Sequence, residues 1–147
     1  MRGFRYQFPF KVVPIYCVDP RHFGVSQYGP RKCGVIRARF LQESIAELQR
    51  NLHSIGSDLF VYNGEPESIL PSLMKGNDTI TIILAQEEVT YEEMCVDKAV
   101  RNAVKNYGGQ LELIWGATMY HRSDLPFKSD LSDMPDVFTP FKDICER

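Results

Sequence analysis

Residues 79–116 read TITIILAQEEVTYEEMCVDKAVRNAVKNYGGQLELIWG, and the order of patterns within this stretch decides the fold. The apolar run at 79–85 predicts a strand buried on both faces. The segment 91–107 predicts an amphipathic helix that stops before Gly108, and the run at 110–116 predicts the next strand. The apolar stripe of the helix comprises Val96, Val100, Val104 and Tyr107. A strand, a helix and a strand in this order form a parallel βαβ unit.

The same alternation continues towards the N-terminus. Residues 11–17 and 58–64 are β-rich apolar runs, and residues 38–56 show an amphipathic helical pattern that closes at Gly56. A short helical pattern follows at 66–75. The order βαβαβαβ predicts an α/β fold with a parallel sheet and helices on both faces. Residues 117–147 lose this periodicity and gain prolines, which predicts an extended connector.

Composition excludes several classes of protein. The chain has 147 residues, 44% of them hydrophobic, and a net charge of −2, which favours one globular domain without a membrane span or a strongly basic surface. The charge is uneven: residues 1–75 carry 10 Lys/Arg and 6 Asp/Glu, whereas residues 76–147 carry 7 and 13. A basic stretch between Arg21 and Arg39 either meets phosphate or is a solvated surface.

The cysteines and histidines predict neither a disulfide framework nor a metal site. The four cysteines are far apart without a CxxC pair, and the three histidines are equally scattered. No apolar leader-like stretch opens the sequence, so we expect an intracellular protein and leave its compartment open. Neither GxGxxG nor GxxxxGK[ST] is present, and no complete set of catalytic residues is visible.

Acidic residues follow the strand at 79–85 directly. Because ligands of open parallel sheets bind at the carboxyl ends of the strands, Glu87 and Glu88 occupy a ligand position. Thr90 and Glu93 have the spacing of a capping box, which gives Glu93 a structural role. An ionised carboxylate accepts two parallel N–H donors, such as an arginine fork or the amino-pyrimidinone edge of a pterin or guanine. The alternative is that Glu87 and Glu88 only stabilise the helix end.

Five segments of the chain carry a family resemblance. They are YCVDPRHFG (16–24), GVIRARFLQESIAELQRNL (34–52), GSDLFVYNGEPESILPSL (56–73), AQEEVTYEE (85–93) and WGATMYHRSDLPFKSDLSDMPDVFTPF (115–141). In their order along the chain and in their residues, these segments resemble the photolyase/cryptochrome family, and more narrowly the DASH cryptochromes.

The resemblance implies a Rossmann-like α/β domain that binds a light-harvesting antenna chromophore, commonly methenyltetrahydrofolate in the DASH group. Glu88 matches the family position whose carboxylate contacts the pterin. Glu87, Asp19 and Phe23 are weaker candidates for the same pocket. No catalytic or metal-binding residue is expected.

The sequence also departs from the family. Residues 1–10 do not follow the family pattern, residues 11–116 match the α/β domain, and residues 117–147 match the interdomain connector. The usual first strand is missing or replaced, and FRYQF at residues 4–8 alternates well enough to substitute for it. The helical domain that holds FAD and contacts DNA in relatives is not matched, so we expect no flavin on this chain and leave enzymatic activity uncertain.

Two functions therefore remain open. One is a truncated DASH cryptochrome or DNA photolyase, reduced to the folate-binding antenna domain of a photoreceptor or repair protein. The alternative is a non-enzymatic interaction or regulatory fragment, or an incomplete gene product. The expected partner is the helical FAD domain or a full-length relative, with DNA contacted only through that domain and no membrane partner.

Overall fold

The computed structural model describes residues 11–26, 28–75 and 82–146. The chain divides into two compact units, residues 1–73 and 74–147, and each is described by itself below. The predicted replacement strand at residues 4–8 lies outside the described residues. Among the described residues, no helix is both long and apolar enough to cross a bilayer.

The first unit is built around one parallel strand pair. Strand β1 (Ile15–Val18) is followed by helix α1 (Val35–Ser54) and strand β2 (Phe60–Asn63). The two strands pair in parallel register from Ile15 opposite Phe60 to Val18 opposite Asn63. The next helix, α2 (Pro66–Met74), begins with proline, whose missing N–H is not needed in a first helical turn.

Helix α1 ends where the sequence predicts. Gly56 adopts a φ of 81°, which a residue with a Cβ rarely adopts. Its N–H donates to the carbonyl of His53 at 3.1 Å, and the N–H of Ser57 donates to the carbonyl of Leu52 at 2.9 Å. This is the hydrogen-bond pattern of a Schellman cap, and it returns the chain towards β2.

The second unit repeats the strand, helix and strand order. Strand β3 (Ile82–Gln86) leads through helix α3 (Tyr91–Lys105) into strand β4 (Gln110–Ile114), and the strands pair in parallel from Ile82 opposite Gln110. The valine stripe of α3 is the side that is covered, since Val100 and Val104 are buried. Among the described residues of this unit, the buried hydrophobic side chains are Met74, Val100, Val104 and Leu111.

The α/β class and the parallel pairing confirm the prediction from sequence. In the described part of the chain the four strands form two two-stranded sheets, β1 with β2 and β3 with β4, whereas one sheet was predicted. The predicted connector is not extended throughout, because residues 138–145 form helix α4 (Phe138–Cys145). Eight residues are too few for a helical period to stand out in the sequence. The boundaries at residues 10 and 116 stay predictions.

The close approach of Met74 to Gly109 within the second unit gives a stability prediction. A Cβ added to Gly109 would overlap Cε of Met74 and lie 3.3 Å from the carbonyl oxygen of Val104. Because Cε is the far end of a flexible side chain that can shift, we expect Gly109→Ala to lower the free energy of unfolding only modestly, by about 1 kcal/mol. Gly116→Ala is the matched control, because nothing lies within 4 Å of its added Cβ. Equal urea midpoints for the two variants would contradict this packing.

Candidate functional site

The ladder between β3 and β4 continues one residue beyond the strands. The N–H of Glu87 donates to the carbonyl of Ile114 at 2.9 Å, which fixes the backbone at the carboxyl end of β3. The side chain of Glu87 is already engaged, because Nη1 of Arg122 donates to its Oε1 at 2.9 Å. Arg122 lies 35 residues away in sequence, so sequence reasoning missed it.

Arg122 also contacts the only tryptophan of the chain. Its guanidinium carbon lies 5.3 Å from the centre of the Trp115 ring, within the range of a cation–π interaction. The indole Nε1 donates to Oγ1 of Thr118 at 2.8 Å. We call Glu87, Arg122, Trp115 and Thr118 the Glu87 latch. It ties the segment after β4 to the end of β3.

Glu88 follows the latch and is exposed to solvent. Within the described residues, no hydrogen bond or ion pair involves its carboxylate. It precedes the N-terminus of α3, the end of the helix that carries a partial positive charge. Of the two glutamates predicted for this position, Glu88 is therefore the one whose oxygens are open to an external donor.

Two further carboxylates lie near Glu87 and Glu88 on the first two turns of α3. Burial raises the pKa of the Asp97 carboxyl above its ordinary value, Arg101 opposes this, and Glu88, Glu87 and Glu93 add to it. The mutual repulsion indicates that these negative charges share one neighbourhood. Among the described residues, however, no group of three or more suitable side chains is arranged to hold a metal ion.

The capping box predicted from the sequence does not form. Thr90 is the N-cap of α3, as predicted, but its side chain makes no capping hydrogen bond. Oε2 of Glu93 is buried and has no partner in the described part of the chain. The charge of Glu93 is one of those that raise the pKa of Asp97. A buried acceptor without a donor costs free energy, so this oxygen marks a position where an external donor would be stabilising.

Asp19 is predicted to line the same pocket, but its carboxylate is already hydrogen-bonded to Arg21 of its own loop. It is 3% exposed, and both of its oxygens accept from Nε of Arg21 at 2.9 Å. Arg21 also donates to Oε1 of Glu67 at 2.7 Å and to Oε2 at 2.9 Å, so it bridges two carboxylates. Burial raises the pKa of Asp19, but the hydrogen bonds from Arg21 outweigh it and leave the pKa below its usual value. The role of Arg21 was missed by the sequence reasoning.

Phe23, the fourth candidate, lies at a cavity. The cavity has a volume of about 520 Å³ and is situated at the carboxyl ends of β1 and β2. Its lining comprises Val18, Pro20, Phe23, Gly24, Asn63 and Gly64. Asp19 and Phe23 thus belong to the first unit, and Glu87 and Glu88 belong to the second.

Comparison with known proteins places the chain in a family. The family model for DNA photolyase matches residues 9–147. The chain belongs to the DNA photolyase family. It is 42% identical over 134 residues to "Cryptochrome DASH, chloroplastic/mitochondrial" of Arabidopsis thaliana, covering 89% of this chain and 23% of that protein. The chain therefore spans about a quarter of the length of this relative.

Solved structures agree with this assignment. The crystal structure of the cryptochrome of Synechocystis sp. PCC6803 matches with a TM-score of 0.82 and 35% identity, over 91% of this chain and 27% of that chain. An archaeal photolyase from Sulfolobus tokodaii, described with two FAD molecules, matches with a TM-score of 0.73 over 93% of this chain and 29% of that one. At 21% identity the second match supports the fold alone.

The raised pKa of Asp97 predicts a pH-dependent loss of folding stability. The folded state holds the Asp97 proton to higher pH than the unfolded state, so the free energy of unfolding falls as pH rises through the Asp range towards the raised pKa. Asp97→Asn removes that loss, and the variant should be more stable than the parent at about pH 7, with the difference shrinking towards about pH 3. Urea unfolding across this range measures it.

Asp130→Asn is a control of opposite sign. The pKa of Asp130 is lowered, by a hydrogen bond from the Ser132 N–H above all, so its ionised form favours the folded state. Its replacement should not stabilise the protein at neutral pH. An Asp97→Asn variant that is less stable than the parent at neutral pH would show that the acidic neighbourhood is not repulsive.

Proposed function

We propose that this chain is the antenna-binding α/β part of a DASH-type cryptochrome or photolyase, and that it binds methenyltetrahydrofolate at the carboxyl end of β3. The observation that carries the proposal is the pair of unsatisfied carboxylates there. Glu88 is exposed without a partner among the described residues, and Glu93 has a buried oxygen without a donor. Membership of the DNA photolyase family supports the choice of a light-harvesting ligand.

The chemistry of a pterin suits this position. Its amino-pyrimidinone edge presents two N–H donors side by side, and an ionised carboxylate accepts both. Glu87 is less suited to this role because its Oε1 already accepts from Arg122. In this proposal Glu88 receives the pterin edge, and Glu93 gains the donor that it lacks within the described residues.

The chain's own part is to bind and orient the ligand. A bound folate would absorb light, and the Glu87 latch would hold the segment after β4 at the edge where the folate lies. Phe23 and the 520 Å³ cavity of the first unit are a weaker proposal for a ligand pocket. Asp19 is the least suited of the four candidates, since Arg21 occupies both of its oxygens.

Flavin chemistry belongs, in this proposal, to parts of the longer relatives that these residues do not match. The chain covers 23% of the Arabidopsis protein and 27% of the Synechocystis cryptochrome chain. We propose that the full-length relatives bind FAD, contact DNA and respond to blue light only through that remaining part. The corresponding helical domain, or a full-length relative that carries it, is the proposed partner of this chain.

A second candidate function is an interaction module, which the C-terminal segment favours. Phe127 and Phe141 stack with ring centres 5.8 Å apart, while Phe138 on α4 is 72% exposed. An aromatic side chain this exposed on a short amphipathic helix is a suitable anchor for another chain. This candidate predicts no folate affinity.

Replacement of the acceptor tests the first candidate. Glu88→Gln removes the charge but keeps the shape, so we expect the dissociation constant for methenyltetrahydrofolate to rise about 10- to 100-fold, since hydrogen bonds to charged groups contribute about 1.5–3 kcal/mol. Fluorescence titration of the folate measures the affinity. Glu93→Gln tests the buried oxygen in the same way.

Glu112→Gln is the matched control, because Glu112 is an exposed glutamate within β4. It should leave the affinity unchanged. Equal and weak affinity of the parent chain, Glu88→Gln and Glu112→Gln would refute folate binding at this site and favour the interaction module.

A further inference from the structure

Arg122 has more hydrogen-bond donors than its contacts use. A guanidinium carries five N–H groups. In the described part of the chain only Nη1 donates, to Oε1 of Glu87 at 2.9 Å, whereas Nε and Nη2 make no hydrogen bond there. The Arg122 side chain is 48% exposed. A ligand at the carboxyl end of β3 can therefore reach an N–H group of Arg122.

The guanidinium of Arg122 is held in place from two sides. Glu87 pairs with one end of it, and the backbone of Glu87 belongs to the ladder between β3 and β4. The Trp115 ring lies against it, with the guanidinium carbon 5.3 Å from the ring centre. Trp115 donates to Thr118 at 2.8 Å, and Oγ1 of Thr118 donates to the carbonyl of Tyr120. A side chain ordered in advance loses less entropy when a ligand binds.

The open donors of Arg122 and the open acceptor lie close together along the chain. Glu88 directly follows Glu87, the residue that Arg122 contacts, so the α-carbons of the two glutamates are about 3.8 Å apart. The side chain of Glu88 is exposed and has no hydrogen bond or ion pair among the described residues. The carboxyl end of β3 thus offers an open carboxylate and, next to it, a cationic N–H donor.

The edge of a pterin complements such a pair of groups. Its 2-amino group and its N3–H are the two donors that a carboxylate accepts, and the carbonyl oxygen O4 lies directly beside N3–H. Guanine has the same arrangement, with O6 as the acceptor. A carboxylate contacts only the two donors, so a separate N–H group is needed to recognise the oxygen. A cationic N–H forms the stronger kind of hydrogen bond.

We propose that Arg122 is a specificity-determining residue of this site, donating to O4 of the ligand while Glu88 accepts from the 2-amino group and N3–H. This assignment rests on the folate site proposed above. It narrows the ligand from any ring with two adjacent N–H donors to a ring with the 2-amino-4-oxo pattern. A ring that carries an amino group in place of O4 would meet the donors of Arg122 with donors of its own.

Two ligands that differ only at C4 of the ring test this role. They are methenyltetrahydrofolate and its 4-amino-4-deoxy analogue. The parent chain should bind the 4-oxo ligand at least about tenfold more tightly, because the analogue leaves the Arg122 donor without an acceptor. Arg122→Met removes the donors and should bring the ratio of the two dissociation constants close to one. Isothermal titration calorimetry of the full chain measures both constants.

The ratio distinguishes recognition of O4 from a merely structural role of Arg122. A loosened segment after β4 would weaken the binding of both ligands alike and leave the ratio unchanged. Arg122→Lys keeps a cationic donor and should retain part of the preference for the 4-oxo ligand. Arg39→Met is the matched control, because Arg39 is an exposed arginine that pairs with Glu43 at 2.8 Å on α1. It should leave the ratio at the value of the parent.

The outcomes also separate this assignment from the proposed folate site itself. A parent chain that binds neither ligand would refute both. A parent chain that binds the two ligands equally well would leave the folate site standing and overturn the role of Arg122. An Arg122→Met variant that keeps the preference of the parent would overturn that role as well.

Nitrogen NMR of the parent chain decides the matter even if Arg122→Met does not fold. The guanidinium resonances of Arg122, assigned by their loss in Arg122→Lys, should shift when methenyltetrahydrofolate saturates the chain, because an N–H group gains an acceptor. The 4-amino analogue at saturation should leave them in place. Equal shifts with the two ligands, or no shift with either, would show that Arg122 does not contact O4 and would overturn the proposal.

Discussion

Parallel strands cannot be joined by a tight turn, and this constraint determines how the chain is organised. A crossover of a dozen or more residues is required, and a helix supplies it twice, α1 between β1 and β2 and α3 between β3 and β4. Each crossover returns the chain to the same end of its strand pair. The carboxyl ends of two strands therefore lie side by side in each unit, which is where loops can present side chains to a ligand.

The different contacts of the acidic residues follow from this arrangement. Glu87 is the first residue past β3, where the ladder still fixes the backbone, and its carboxylate anchors Arg122. Glu88 is one residue further, is exposed, and takes no part in that ion pair. Asp97 is on α3, close enough to Glu88, Glu87 and Glu93 for their charges to add to the rise of its pKa. One short loop thus provides both a structural carboxylate, Glu87, and an open acceptor, Glu88.

Much of the fold was predictable because the signals are local. The valine stripe predicted α3. Gly56 predicted the end of α1, and in the structure it adopts a positive φ there. The start of β1 was predicted too early, at residue 11. The strand begins after Pro14, which has no N–H for a ladder and contributes only its carbonyl, as the acceptor for Phe60.

The site was predictable only in part because its contacts are not local. The position of Glu87 and Glu88 followed from the end of an apolar run, but the pairing of Glu87 with Arg122 spans 35 residues. Glu93 was assigned to a capping box, a motif defined by spacing alone, and its burial overrode that spacing. Arg21 was counted as part of a basic stretch, whereas it bridges Asp19 and Glu67.

Thermal unfolding of the purified chain with and without saturating methenyltetrahydrofolate tests the central claim most directly. A ligand at about 100 times its dissociation constant stabilises the folded state by about 2.7 kcal/mol, so the midpoint should rise by several degrees. A cooperative transition whose midpoint does not move, at folate concentrations up to solubility, would contradict folate binding by these residues.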